Sequence, residues 1–332
     1  MVGAPHRLSA AFVFSNSGGG WAQVAKLLGT NAEIGLSVAI SGDGRTVVVG
    51  NERKVFVFVE PPTGWADMTQ TAELQPNGIA FGASVAVSAD GSIIAVGGLR
   101  EALIYVEPAG GWTGIVEPAA SLATPPGAER FGTSIAIDGS TVVVGDPAYA
   151  NSVGAAYVYI LHTGPHTIPI SATLNPSDAG GNFGGSVSIS GNTVATGAVT
   201  HNSIAGAVYV FVKPPGGWTD MTQTAELSLP PSGRTALGGS VAISGNIVLA
   251  GATGDTIGHN ADQGAVFAYV KPPGGWADTL MPNLSVTGSD STANDEFGYS
   301  VALNGTTAVI GAPFHTVNGN AQEGAAYVFG EQ

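Results

Sequence analysis

Three histidines have the spacing of a shared site. His201, His259 and His315 lie four, eight and four residues past Gly197, Gly251 and Gly311, which close three successive apolar runs. A neutral imidazole near pH 7 is a metal ligand or a hydrogen-bonding group for a bound molecule. Around these histidines stand Asn202, Asp255, Asn260, Asp262, Asn318, Asn320 and Glu323, all in polar connecting segments. Short oxygen-bearing side chains of this kind suit contact with a sugar or a protein partner, and these ten residues form the candidate ligand-binding set. Asp262 and Glu323 are the weak candidates for a cation. Solvated histidines and ordinary Asx turns produce the same pattern without any ligand. His6, His162 and His166 share no such spacing.

Catalytic signatures are lacking. The sequence holds no Gly-x-Ser-x-Gly elbow, P-loop, His-Glu-x-x-His or dinucleotide fingerprint. Gly-x-Ser occurs six times, from Gly35 to Ser300. A nucleophile is needed once, so these serines read as structural. The expectation is a protein that is not an enzyme and has no catalytic residue. With no cysteine, disulfides and thiolate metal sites are excluded.

The elements that position these loops come from a repeat. Phe81-Gly82, Phe131-Gly132, Phe183-Gly184 and Phe297-Gly298 are each followed by x-Ser-Val or x-Ser-Ile, with looser copies at Ile34-Gly35 and Leu237-Gly238. The intervals are 47, 50, 52, 54 and 60 residues, the period of an array built from one supersecondary unit. In the copy starting at Phe183, Ser186 to Ser190 alternates as a strand A and Gly191-Asn192 makes a tight turn. Thr193 to Gly197 is strand B. Ala207 to Val212, rich in β-branched and aromatic residues, is strand C, and Gln223 to Leu227 is strand D. Four antiparallel strands per repeat predict a β-propeller, all-β, as one domain over residues 1–332. The phenylalanines read as plugs between blades, the glycines beside them as points of close backbone approach, and the tryptophans as packing anchors.

Composition agrees. Gly contributes 50 residues and Pro 20, which suits short strands and tight turns. The net charge of −14 repels phosphate, so nucleic acid is not an expected partner. No apolar run is long enough for a membrane helix, so membrane insertion is not expected. Met1 to Pro5 already reads as repeat rather than as a signal sequence.

Phe297-Gly298 followed by Gly311-Ala312-Pro313 resembles the FG-GAP repeat of integrin α-chain propellers and bacterial surface proteins. Degenerate copies of the second half are Gly145-Asp-Pro147, Gly197-Ala-Val199 and Gly251-Ala-Thr253. The resemblance spans essentially the whole chain and implies seven blades. Six A, seven B, seven C and six D strands can be counted, so the first and last blades are expected to be incomplete. Six blades, with Gln23 to Leu27 closing the last, is the alternative; a chain cut from a longer protein is another reading. An open blade edge invites self-association.

The resemblance also raises calcium, which many relatives bind through Asp-x-Asp-x-Asp-Gly in the A–B hairpin. Here the longer hairpins, Ser41 to Gly44 and Ser88 to Gly91, keep one Asp each, Asp43 and Asp90, and calcium needs six to eight oxygens. No cofactor is therefore expected. The B–C loops are unequal. Gly50 to Lys54 and Gly98 to Glu101 turn at once, whereas Asp255 to Asp262 and Phe314 to Glu323 are long. Asp290, Asn294, Asp295 and Glu296 in a D–A loop add to the same face. The leading expectation is a non-catalytic extracellular or cell-surface module for adhesion or assembly, acting on a protein or glycan through rim loops or an open edge. A carbohydrate-binding lectin propeller and a propeller hydrolase are the alternatives.

Overall fold

The computed structural model describes residues 1–4, 9–30, 34–51, 53–75, 81–162, 166–178, 181–230 and 233–330. Pro5, His6 and Glu52 lie outside them. The described residues form seven small sheets, and the fold is a seven-bladed β-propeller. Blade 5 shows the unit. Its strands A (Ser186–Ser190), B (Thr193–Ala198), C (Ala207–Val212) and D (Ala225–Leu227) follow one another and pair antiparallel.

Blade 1 holds strands B (Val2–Ala4), C (Ala10–Asn16) and D (Trp21–Leu28) without an A. Blade 7 holds A (Ser300–Asn304), B (Thr307–Ala312) and C (Ala325–Phe329) without a D. Trp21–Leu28 pairs with Ala10–Asn16, which settles the blade number at seven rather than six.

Two compact units divide the chain. One comprises Met1–Val144 with Tyr159–Ile170, the other Gly145–Val158 with Ser171–Gln332. In the first, strand B of blade 2 (Thr46–Gly50) is buried on both faces. Val47 and Val49 join a cluster with Ala11, Ala25 and Leu27 of blade 1, while Val48 joins one with Ile94, Val96 and Tyr105 of blade 3. The two-residue period of a strand thus feeds two cores at once. In the second unit, Ala242, Leu249 and Val266 of blade 6 pack with Phe297, Ile310 and Ala312.

The repeat motif is the joint between blades. Phe297 is fully buried and meets Tyr327 and Phe329 of its own strand C edge to face, at 5.3 and 6.2 Å. The following glycine takes a positive φ, +86° at Gly238. A Cβ there would lie 2.5 Å from the Ala207 carbonyl, so only glycine fits. The Ser186 hydroxyl donates to the Gly238 carbonyl at 2.8 Å, and Ser37, Ser84 and Ser240 repeat the bond to Gly82, Gly132 and Gly298.

A second joint was not legible in the periodicity. The C–D connections of blades 2 and 5 carry short strands, Met68–Thr69 and Met221–Thr222, which pair parallel with strand D of the preceding blade. Gly114–Val116 and Thr167–Ile168 do the same from blades 3 and 4, giving those sheets a fifth strand. The carboxylate of Trp-x-Asp secures the contact, since Asp67, Asp220 and Asp278 accept from the amides of Lys26, Thr173 and Glu226.

Tryptophan roles divide with hairpin length. Trp65 and Trp112 donate to the carbonyls of Gly44 and Gly91 in the longer A–B hairpins. Trp218 and Trp276 belong to blades 5 and 6, whose A–B hairpins are shorter, and their buried Nε1 atoms have no hydrogen-bond partner. Trp21 is 48% exposed and anchors no hairpin.

Candidate functional site

The B–C loop of blade 5 begins at Thr200 and turns through Asn202, Ser203 and Ile204, all with positive φ. This sharp turn carries His201, 8% exposed, over the end of the blade. Strand C brings Tyr209 beneath it, the preceding D–A loop brings Asp178, and strand D brings Glu226. The Tyr209 hydroxyl donates to Asp178 Oδ1 at 2.8 Å and lies 3.4 Å from His201 Nδ1. His201 Nε2 stands 3.7 Å from both Asp178 Oδ2 and Glu226 Oε1. One nitrogen and two carboxylate oxygens therefore converge within 4.8 Å of one another. Burial raises the Glu226 carboxyl above its ordinary value, the His201 imidazole opposes this, and the charges of Asp178 and Asp278 add to it. Burial, then the Asp178 hydrogen bond and charge, push the Tyr209 phenol well up, so it stays a donor.

Blade 7 repeats part of this arrangement. Tyr327 donates to Asp290 Oδ1 at 2.7 Å, and His315 Nε2 lies 3.7 Å from Asp290 Oδ2. His315 Nδ1 also bonds Asp295 Oδ2 at 2.8 Å. Burial would raise Asp295, but hydrogen bonds from His315, Thr292 and Ser291 outweigh it and hold the carboxyl below its usual range. No strand D supplies a carboxylate equivalent to Glu226 in this sheet.

His259 sits elsewhere. The blade 6 loop closes as a small hairpin, Ile257 bridging Asn260, and His259 is exposed at its tip. Half-buried Asp255, raised by burial, occupies the position that His315 takes in blade 7. The blade 7 loop forms the matching hairpin between Val317 and Asn320. Asn202, Asn260, Asp262, Asn318, Asn320 and Glu323 are exposed on these loops. The structure thus brings His201 and His315 into separate, similar clusters and leaves His259 outside both. Asp178, Glu226 and Tyr209 were missed in the sequence. The available signal was that blades 5 and 7 combine the early loop histidine with tyrosine third in strand C, where blade 6 has Phe267.

The B–C loops also stitch blades together. Asn294, Glu296 and Phe297 donate their amides to the carbonyls of Ala261, Asp262 and Gln263. Ala236 and Leu237 do the same to Ile204 and Ala205. In the A–B hairpins, Asp43 and Asp90 accept from Ser41 and Ser88 and from the amides of Arg45 and Ser92. These bonds hold both carboxyls low. Each hairpin offers one carboxylate already engaged in a turn, a poor match to calcium's appetite for several.

Residues 127–159, 171–211 and 284–329 match the family model described as the FG-GAP repeat. Those stretches carry FG-GAP repeats, and the seven sheets with the recurring Phe-Gly joints make the chain a β-propeller. No curated protein matches it. Among the described residues, no helix is long and apolar enough to cross a membrane.

Proposed function

We propose that the protein is a non-catalytic binding module for adhesion or assembly outside the cell or at its surface, contacting a protein or glycan through the B–C loops of blades 5 to 7. The observation that carries this reading is the fixed, polar shape of those loops. Positive-φ residues at Asn202, Asp262 and Asn318 and the two hairpin bridges hold exposed amides, carboxylates and an imidazole in place. Loops ordered before binding lose less entropy on binding. A fold of this kind hosts many functions, so the reading rests on the loops rather than on the propeller.

The test is a glycan array and a panel of extracellular matrix proteins probed with the whole chain. A second form replaces Ile257–Asn260 with Gly-Gly, keeping the carbonyls of Ala261, Asp262 and Gln263 that hold blade 7. Saturable binding to either panel, lost in the shortened form with the melting temperature held, supports the reading. Blank panels, or binding indifferent to the loop, overturn it. Signals confined to glycans, at comparable strength, select the lectin form of the same reading.

A further inference from the structure

We infer that blade 5 holds a divalent transition-metal site, ligated by Asp178 Oδ2, His201 Nε2 and Glu226 Oε1. Three observations converge on it. The first is distance: Nε2 stands 3.7 Å from each oxygen, beyond the roughly 2.7–3.2 Å range of an N–H···O bond. Ligands about 2.1 Å from a tetrahedral zinc are about 3.4 Å apart, so a small contraction seats an ion.

The second is the orientation of the ligands. Tyr209 donates to the other oxygen of Asp178 and faces His201 Nδ1. Nδ1 is thus the ring nitrogen on the phenol side, and Nε2 is the one turned to the carboxylates. Metal-bound histidines are positioned this way by a second set of partners.

The third is a comparison within the chain. Glu73 of blade 2 occupies the same place in its Ala-Glu-Leu strand as Glu226 does in blade 5. There a cation meets it, Lys54 Nζ lying 2.8 Å from Glu73 Oε1. In blade 5 two carboxylates and an imidazole share that place, one nitrogen and two oxygens converging as a donor set for a cation. Nitrogen with two oxygens fits zinc and its neighbours better than calcium, which favours all-oxygen shells. Asp178 is the exposed member, leaving a side of the ion open to water or to a ligand on the rim. The site is distinct from the A–B hairpins and does not depend on which partner the rim takes.

The experiment is isothermal titration of the whole chain with Zn2+, repeated on Asp178→Asn, Glu226→Gln and Tyr209→Phe, with Asp290→Asn as control. Circular dichroism and melting without metal establish that each variant folds. The expected result is one saturable site in the wild type. Affinity falls at least tenfold in D178N and E226Q, about 10–100-fold in Y209F through lost positioning, and holds in D290N. Absence of saturable zinc binding overturns the inference. So does equal affinity in folded D178N and E226Q, which would place the zinc on other histidines.

Discussion

Ser186 and Gly238 belong to adjacent blades, and the serine hydroxyl donates to the glycine carbonyl at 2.8 Å. The same glycine, at φ +86°, leaves no room for a side chain. The serine that looks like a nucleophile is a fastener, and Ser37, Ser84 and Ser240 repeat its bond at three other joints. Ser186→Ala is expected to cost about 0.5–1.5 kcal/mol, one hydrogen bond. Gly238→Ala adds a backbone clash to the strained φ and costs more. Gly245→Ala, in a turn with open space around it, costs only about 1–2 kcal/mol of left-handed strain. Urea unfolding of the three variants checks the order; equal losses at Gly238 and Gly245 would contradict it.

Asp220 holds the amide of Thr173 in the preceding blade at 2.8 Å. Asp220→Ala frees an exposed joint rather than the core. The loss is about 0.5–1.5 kcal/mol, and amide exchange should accelerate at Thr173 and Met221–Thr222 while strand B of blade 5 stays protected. Uniform acceleration across the blade would refute a local latch.

Trp112 and Trp276 test the hairpin-length rule. Trp112→Phe leaves the buried Gly91 carbonyl without its donor, whereas Trp276→Phe removes a buried N–H that has no partner. The first should be the more destabilising by about 1–3 kcal/mol. Equal melting temperatures in the two variants would dismiss the rule.

Asp295 sets an acid limit on blade 7. Its folded carboxyl titrates below the unfolded one, about 3.9, so the group stabilises the fold above that pH. The contribution disappears as pH falls through the lowered folded value. Asp295→Asn should therefore destabilise the protein at pH 7 and converge with the wild type under acid conditions, as read by melting from pH 2 to 7. A gap that persists at pH 2 would contradict the assignment. Glu226 behaves oppositely: its raised carboxyl favours the protonated fold, so acidification through that range stabilises the apoprotein and weakens zinc.

Much of this architecture was legible because each signal repeats. The strand letters, their count and the ragged first and last blades follow from alternation and turn residues. Met68–Thr69 and Met221–Thr222 did not follow, because two residues carry no period and their pairing partner lies in another blade. At the rim, position along the loop was misleading. His259 lies in the loop that corresponds to that of His201 but eight residues past the closing glycine rather than four, on a hairpin that carries it to the tip. Asp178 and Glu226 reach His201 from two other segments, a convergence that only the fold creates.

Phe-Gly-x-Ser builds the propeller, and the role proposed for the loops of blades 5 to 7 is binding. Surface plasmon resonance on whichever glycan or matrix protein the panels identify separates the two roles. Ser186→Ala is predicted to lower the melting temperature and leave affinity unchanged. His259→Ser combined with Asn318→Gly is predicted to leave the melting temperature unchanged and weaken binding tenfold or more. Undiminished binding by the folded loop variant would overturn the role proposed for these loops.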